Sequence, residues 1–198
     1  MSLEKEDKNI VVAISGASGV IYGIRLLQHL DLLKNKSKDH IYVHLIISED
    51  AKRLIEYETD YKVKDVEKFA DEVHLNNDLY ANISSGSYLF DGMTIIPCSV
   101  STLAKISCGI ADNLITRCAS NALKERKKLV IVPRETPLST IHLQAMANLS
   151  EVGAIILPAM PAFYTKPKKI DELIDFISGR TLDALGIQND LFRRWIGE

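Results

Sequence analysis

The chain has 198 residues, of which 46% are hydrophobic and 25% charged, and its formal net charge is −2. This is the make-up of one globular domain over residues 1–198, with a disordered tail over residues 1–8 and enough apolar chain to bury a sizeable core. The balance excludes an electrostatically driven nucleic-acid binder, no apolar run is long enough to span a membrane, and Met1–Lys8 lacks the apolar stretch of a secretory signal.

The first element is the apolar run Ile10–Ile14, which predicts a buried strand. Ser15-Gly16-Ala17-Ser18-Gly19 follows, and then a helical pattern over Ile21–Leu33 with Ile24, Leu26, Leu27 and Leu30. A strand, a Gly-rich turn and a helix start, in that order, aim backbone N–H groups and the positive end of a helix at an anion. Gly16 and Gly19 are present but the leading G-x-G of a dinucleotide fingerprint is missing, so a nucleotide or flavin phosphate fits better than NAD. The same glycines also serve a purely geometric turn. Charged residues over Asp31–His40 predict a surface loop. Further strands are expected at Ile41–Ile47, Met93–Ile96, Leu129–Val132 and Ala154–Leu157. Helices are expected at Asp50–Tyr57 with Ser48 as N-cap, Ser99–Ile106, Asn113–Lys127, Ser139–Leu149 and Ile170–Leu185. Asp60–Asp91 reads as loops with a short strand near Val73. The alternation predicts an α/β fold, a three-layer αβα sandwich about a mostly parallel, Rossmann-like or flavodoxin-like sheet.

In such a sheet the ligand sits outside the carboxyl ends of the strands. Those ends carry Gly16–Gly19, Ser48, Pro97-Cys98-Ser99-Val100-Ser101-Thr102, Pro133-Arg134-Glu135-Thr136-Pro137 and Pro158–Tyr164. Hydroxyl residues at a helix start suit a phosphate or ribityl chain, and Arg134 beside Glu135 joins an anion clamp to a general base. Each also has a plain structural role: Ser99 as an N-cap, Arg134 and Glu135 as an exposed ion pair, the prolines as strand stops. Cys98, Cys108 and Cys118 lie ten apart, which is neither a C-x-x-C metal pattern nor a disulfide framework, and a reducing cytoplasm is the expected compartment. Cys98 is expected to be a small buried residue rather than a nucleophile. His29, His44 and His142 are expected to be packed or hydrogen-bonded.

The ordered motifs resemble those of the UbiX-type, or Pad-type, flavin prenyltransferases. The matching stretches are Ser15–Gly19 with Tyr22–Leu27, Pro97–Ser99 with Thr102-Leu103, and Asp112–Ile115 with Arg117. They continue through Ala122–Arg126, Val132–Pro137, Ile141–Leu143, Ala162–Tyr164, Asp175-Phe176, Arg180 and Leu185–Ile187, so that the likeness runs from Ile10 to Trp195. The resemblance implies an enzyme that binds reduced FMN and dimethylallyl monophosphate. It joins the prenyl unit to flavin N5 and C6 without a metal, and the prenylated FMN serves a partner decarboxylase. It implies an FMN site at Gly16, Ala17, Ser18, Ser48, Ser99, Val100, Ser101, Thr102 and Arg134, with Ser18 near N5. It implies a prenyl-phosphate site at Arg117, Lys124, Tyr164 and Arg180, with Lys124 and Tyr164 also serving catalysis. Glu58 and Glu135 match acids assigned to proton transfer, and Trp195 an aromatic residue near the chain end. It also implies a homododecamer built from trimers, with sites at subunit interfaces.

These residue types suit that chemistry, because a departing monophosphate needs its charge neutralised and ring closure needs a base. Arg117 and Lys124, seven apart on one helix, also fit a solvated stripe, and Glu58 beside Glu56 and Asp60 fits a surface acidic turn. Two other functions stay open. One is an FMN-dependent decarboxylase of the cysteine-decarboxylase type, whose Pro-Ala-Ser-Ala-Asn-Thr motif has Ser101 here in the Asn place. The other is a non-catalytic FMN carrier.

Overall fold

A computed structural model of the chain describes residues 8–36 and 41–197. The strands are β1 (Lys8–Ile14), β2 (Ile41–Ile47), β3 (Glu72–Leu75), β4 (Gly92–Cys98), β5 (Lys128–Pro133) and β6 (Ile155–Ile156). The α-helices are α1 (Val20–Lys36), α2 (Glu49–Glu58), α3 (Val63–Glu67), α4 (Val100–Ser107), α5 (Leu114–Lys124), α6 (Thr140–Glu151) and α7 (Ile170–Leu185). The strands form one sheet in the order β3-β2-β1-β4-β5-β6, and every pair is parallel. That is the Rossmann order, and the chain reverses direction across the sheet between β1 and β4.

The central strands do not alternate because both faces are covered. On one face Ile10, Val12, Ile14, Val43 and Leu45 pack with Ile24, Leu27 and Leu30 of α1 and Ile177 and Leu182 of α7. On the other, Val11, Ala13, Met93 and Ile95 pack with Leu103 of α4, Ala119 of α5 and Leu149 of α6. Ile24, Leu27 and Leu30 are fully buried, and each such side chain contributes about 1.5–3 kcal/mol of burial free energy.

Several boundaries differ from the sequence reading. Lys8 belongs to β1, where its Nζ donates to Gly186 O at 2.8 Å; the rest of the expected tail, 1–7, lies outside the described residues. The expected loop over 31–40 is helical as far as Lys36, because α1 continues through the good helix formers Leu32, Leu33 and Lys34, and Lys34 is held by Asp71. Residues 37–40 lie outside the described residues. Helix α5 stops at Lys124 rather than Lys127, because Glu125 closes it and Arg126 takes a φ of 57°. Strand β6 keeps two residues, being an edge strand followed, after Leu157, by Pro158, which has no N–H to give. In the stretch 60–91 the expected strand near Val73 is present as β3, while α3 is new. With five residues and one buried side chain, α3 is too short to show a helical period. Among the described residues, no helix is long and apolar enough to cross a membrane.

Candidate active site

The strand reversal opens a cleft at the carboxyl ends of β1 and β4. A cavity of about 360 Å³ lies there, walled by Gly16 and Ala17 after β1, Ser48 after β2, Ser99–Thr102 after β4, and Arg134 and Glu135 after β5. Ser15 binds the two central ends together. Its Oγ donates to Pro97 O at 3.1 Å and accepts from Ser99 N at 2.8 Å, with Ser15 and Pro97 buried and Ser99 half-buried.

Three helix N-termini meet at this cavity, since the N-caps of α2, α4 and α5 (Ser48, Ser99 and Asn113) all line it. Ser48 Oγ accepts from Ala51 N at 3.2 Å, Ser99 Oγ from Thr102 N at 3.2 Å, and Asn113 Oδ1 from Thr116 N at 3.1 Å. The amides of Val100 and Ser101, in the first turn of α4, have no intrahelical acceptor by the geometry of a helix start, and both residues line the cavity. Unclaimed N–H groups at converging positive helix ends form a site for a bound phosphate. Gly16 lets the start of α2 approach the turn: a Cβ there would come within 2.8 Å of Asp50 Cβ. These features fit FMN, with Val100, Ser101, Ser99 and Thr102 placed to hold its phosphate and Gly16 and Ala17 to let the backbone approach it.

The turn itself is clamped from two sides. Arg134 Nε donates to Ser18 O at 2.9 Å, and Glu58 Oε2 accepts from Gly19 N at 2.8 Å. Gly19 has a φ of 93°, a left-handed conformation that favours glycine. Glu58 is therefore not only a surface acid; it ends α2 against the Gly turn. Ser18 is exposed at the tip of the turn and stands outside the cavity lining. Arg134 and Glu135 do not pair with each other: Glu135 Oε1 accepts from Thr136 N at 2.9 Å. Burial, only partly offset by hydrogen bonds from Ser15 and the Leu103 backbone, pushes the Cys98 thiol up to about 12, so Cys98 is a packed thiol, as expected. His29 is held by Asp175, His44 by His74 and Tyr88, and His142 closes the capping box of α6 with Ser139.

The four residues expected at the prenyl phosphate are not gathered in the same way. Arg117 Nε donates to Ser84 O at 3.3 Å, Lys124 faces Glu125 at the end of α5, and Arg180 faces Asp183. Tyr164 packs edge-on against Phe176 and Trp195. None of the four lines the cavity within one chain. The cavity also has walls that the sequence reading missed: Asp50, Asn76, Lys105 and Ile115. In the sequence Asn76 reads only as part of the loops over Asp60–Asp91. Its role comes from accepting Leu114 N at its carbonyl (2.7 Å) and Ile115 N at Oδ1 (3.2 Å), which fixes the start of α5.

The fold and cavity define a doubly wound α/β protein that binds a phosphate-bearing ligand at its switch point. The Flavoprotein family matches residues 1–182. The flavin prenyltransferase UbiX of Thermoplasma acidophilum is 50% identical over 186 residues, covering 94% of this chain and 99% of that protein. The crystal structure of AnUbiX (PadA1) in complex with FMN and dimethylallyl pyrophosphate superposes with a TM-score of 0.91 at 45% identity, over 98% of this chain and 100% of that one. A dodecameric FMN-dependent UbiX-like decarboxylase from Escherichia coli O157:H7 gives a TM-score of 0.91 at 46% identity, over 96% of this chain and 100% of that one. This chain belongs to the Flavoprotein family and, within it, to the UbiX-type flavin prenyltransferases.

Proposed function

We propose that this chain joins the dimethylallyl unit of dimethylallyl monophosphate to N5 and C6 of reduced FMN, and that a decarboxylase receives the prenylated flavin. The observation that carries the reading is the meeting of the α2, α4 and α5 N-termini with the Gly16–Gly19 turn at one cavity. Bound reduced FMN supplies the N5 and C6 atoms at which the new bonds form. The amides of Val100 and Ser101 and the hydroxyls of Ser99 and Thr102 hold its phosphate. Arg134, through Ser18 O, sets the height of the turn and so the position of the Ser18 hydroxyl. Glu58, seated on the Gly19 amide, and Glu135, on the cavity wall, carry protons to and from the reacting site. Arg117, Lys124 and Arg180 neutralise the departing phosphate, and Tyr164 donates a hydrogen bond to it.

Because Arg117 and Lys124 on α5 and Tyr164 and Arg180 at α7 all stand outside the cavity of their own chain, we assign the prenyl-phosphate site to an interface between copies. Large exposed apolar side chains, including Tyr80, Leu89, Phe163 and Trp195, support a homo-oligomer, and the dodecameric relative supports a trimer-based dodecamer. We place the protein in the cytoplasm, in line with its three free cysteines. Anaerobic incubation with reduced FMN and dimethylallyl monophosphate, followed by mass analysis of the extracted flavin, tests the reaction. The expected product is heavier by one prenyl unit. Unchanged, tightly bound FMN would point to a carrier.

A further inference from the structure

We propose that His44, Glu72 and His74 form a binding site for a divalent transition-metal ion of the Zn2+ type at the β2–β3 edge, separate from the flavin cavity. The parallel register sets His44 beside Glu72 and Ile46 beside His74, so the three side chains rise from one face of two neighbouring strands. His44 Nδ1 lies 3.0 Å from His74 Nε2 and 3.3 Å from Glu72 Oε2, and His74 Nε2 lies 3.7 Å from Glu72 Oε1. A tetrahedral ion with ligands at about 2.0–2.1 Å has ligand-to-ligand edges of about 3.3–3.4 Å. The donor groups therefore already lie at about the separations a Zn2+ ion needs, with Glu72 facing His44 through Oε2 and His74 through Oε1. Two imidazoles and one carboxylate are also a donor set suited to such an ion.

The surrounding hydrogen bonds can fix the tautomer of His44. His44 Nε2 lies 2.9 Å from Tyr88 Oη. With that nitrogen donating to Tyr88, Nδ1 is left as an acceptor and takes the Nε2–H of His74 at 3.0 Å, a hydrogen bond that a bound ion would replace. An outer partner that fixes the tautomer of a ligating histidine is the usual support of such sites. The Glu72 side chain is 39% exposed, which leaves an entry path and an open fourth position for water. An ion here would pin the edge strand β3 to β2 immediately before Asn76, the residue that holds the start of α5 at the cavity.

The test is titration of the full, chelator-stripped chain with Zn2+ by calorimetry, and with Co2+ as a spectroscopic probe. One ion per chain is expected, with the visible bands of four-coordinate Co2+ and no thiolate charge-transfer band. Glu72→Gln and His74→Gln should each weaken binding at least about 100-fold, while Cys108→Ser leaves it unchanged. Glu72→Gln alters a partly exposed side chain and decides the matter if His74→Gln does not fold. Absence of saturable binding, binding indifferent to Glu72→Gln, or binding lost in Cys108→Ser would overturn the proposal.

Discussion

The backbone amide of Gly19 donates to the Glu58 carboxylate at 2.8 Å, so the last residue of α2 is tied to the turn that precedes α1, across 39 residues of chain. This contact makes Glu58 a brace of the turn, and the proposed reaction also assigns it a proton to carry. The two roles separate under substitution. Glu58→Gln keeps an acceptor for Gly19 N but removes the base, so flavin binding should be retained. Prenyl transfer in single turnover should fall about 100-fold or more. Equal loss of FMN affinity and rate in Glu58→Gln would show that Glu58 only shapes the turn.

Ser15 is the buried staple between the ends of β1 and β4. Ser15→Ala leaves Ser99 N without its acceptor and removes a donor from Pro97 O, and should cost about 1–3 kcal/mol of stability in denaturant unfolding. FMN affinity should fall as well, because Ser99 starts the α4 turn whose amides face the cavity. A stable variant with normal FMN affinity would contradict this account.

Asp175 joins α7 to α1. It accepts from Arg25 Nε at 2.6 Å and Arg25 Nη2 at 3.1 Å, and lies 3.0 Å from His29 Nε2. Burial alone would raise its pKa, but the hydrogen bonds and charges of Arg25 and His29 outweigh that and hold the carboxyl below the usual carboxylate range. A depressed native pKa contributes stability above the unfolded value of about 4, and that stability is lost as pH falls through the native value. Asp175→Asn should therefore cost about 2 kcal/mol near neutral pH, and the gap to wild type should shrink below about pH 4. A gap that stays constant down to acid unfolding would rule out the carboxylate as its source.

Among the described residues, Thr94 Oγ1 is the buried side-chain polar atom with no hydrogen-bond partner. Thr94 sits in the middle of β4 and is fully buried. Thr94→Val replaces the hydroxyl with a methyl of similar volume and should stabilise the protein by about 1 kcal/mol, seen as a higher denaturation midpoint at unchanged slope. Destabilisation would mean that the hydroxyl is satisfied in solution.

Local pattern carried much of this protein. The apolar runs at Ile10–Ile14 and Ile41–Ile47, the Gly16–Gly19 turn, and the caps Ser48 and Ser99 are legible because strands buried on both faces and helix starts depend on neighbours a few residues away. The family likeness rests on the same short stretches in the same order. What the chain order could not show is which strand ends meet. Ser15 reaches Ser99 across 84 residues, Ser18 reaches Arg134 across 116, and His44 meets Glu72 and His74 only through the β2–β3 register. Those contacts exist because parallel strands pair through long crossovers, so their side-chain partners are chosen by the sheet order rather than by sequence distance. The same holds for the residues expected at the prenyl phosphate: Arg117 and Lys124 share α5, Tyr164 packs on Phe176 of α7, which also carries Arg180, and none of the four lines the flavin cavity of its own chain.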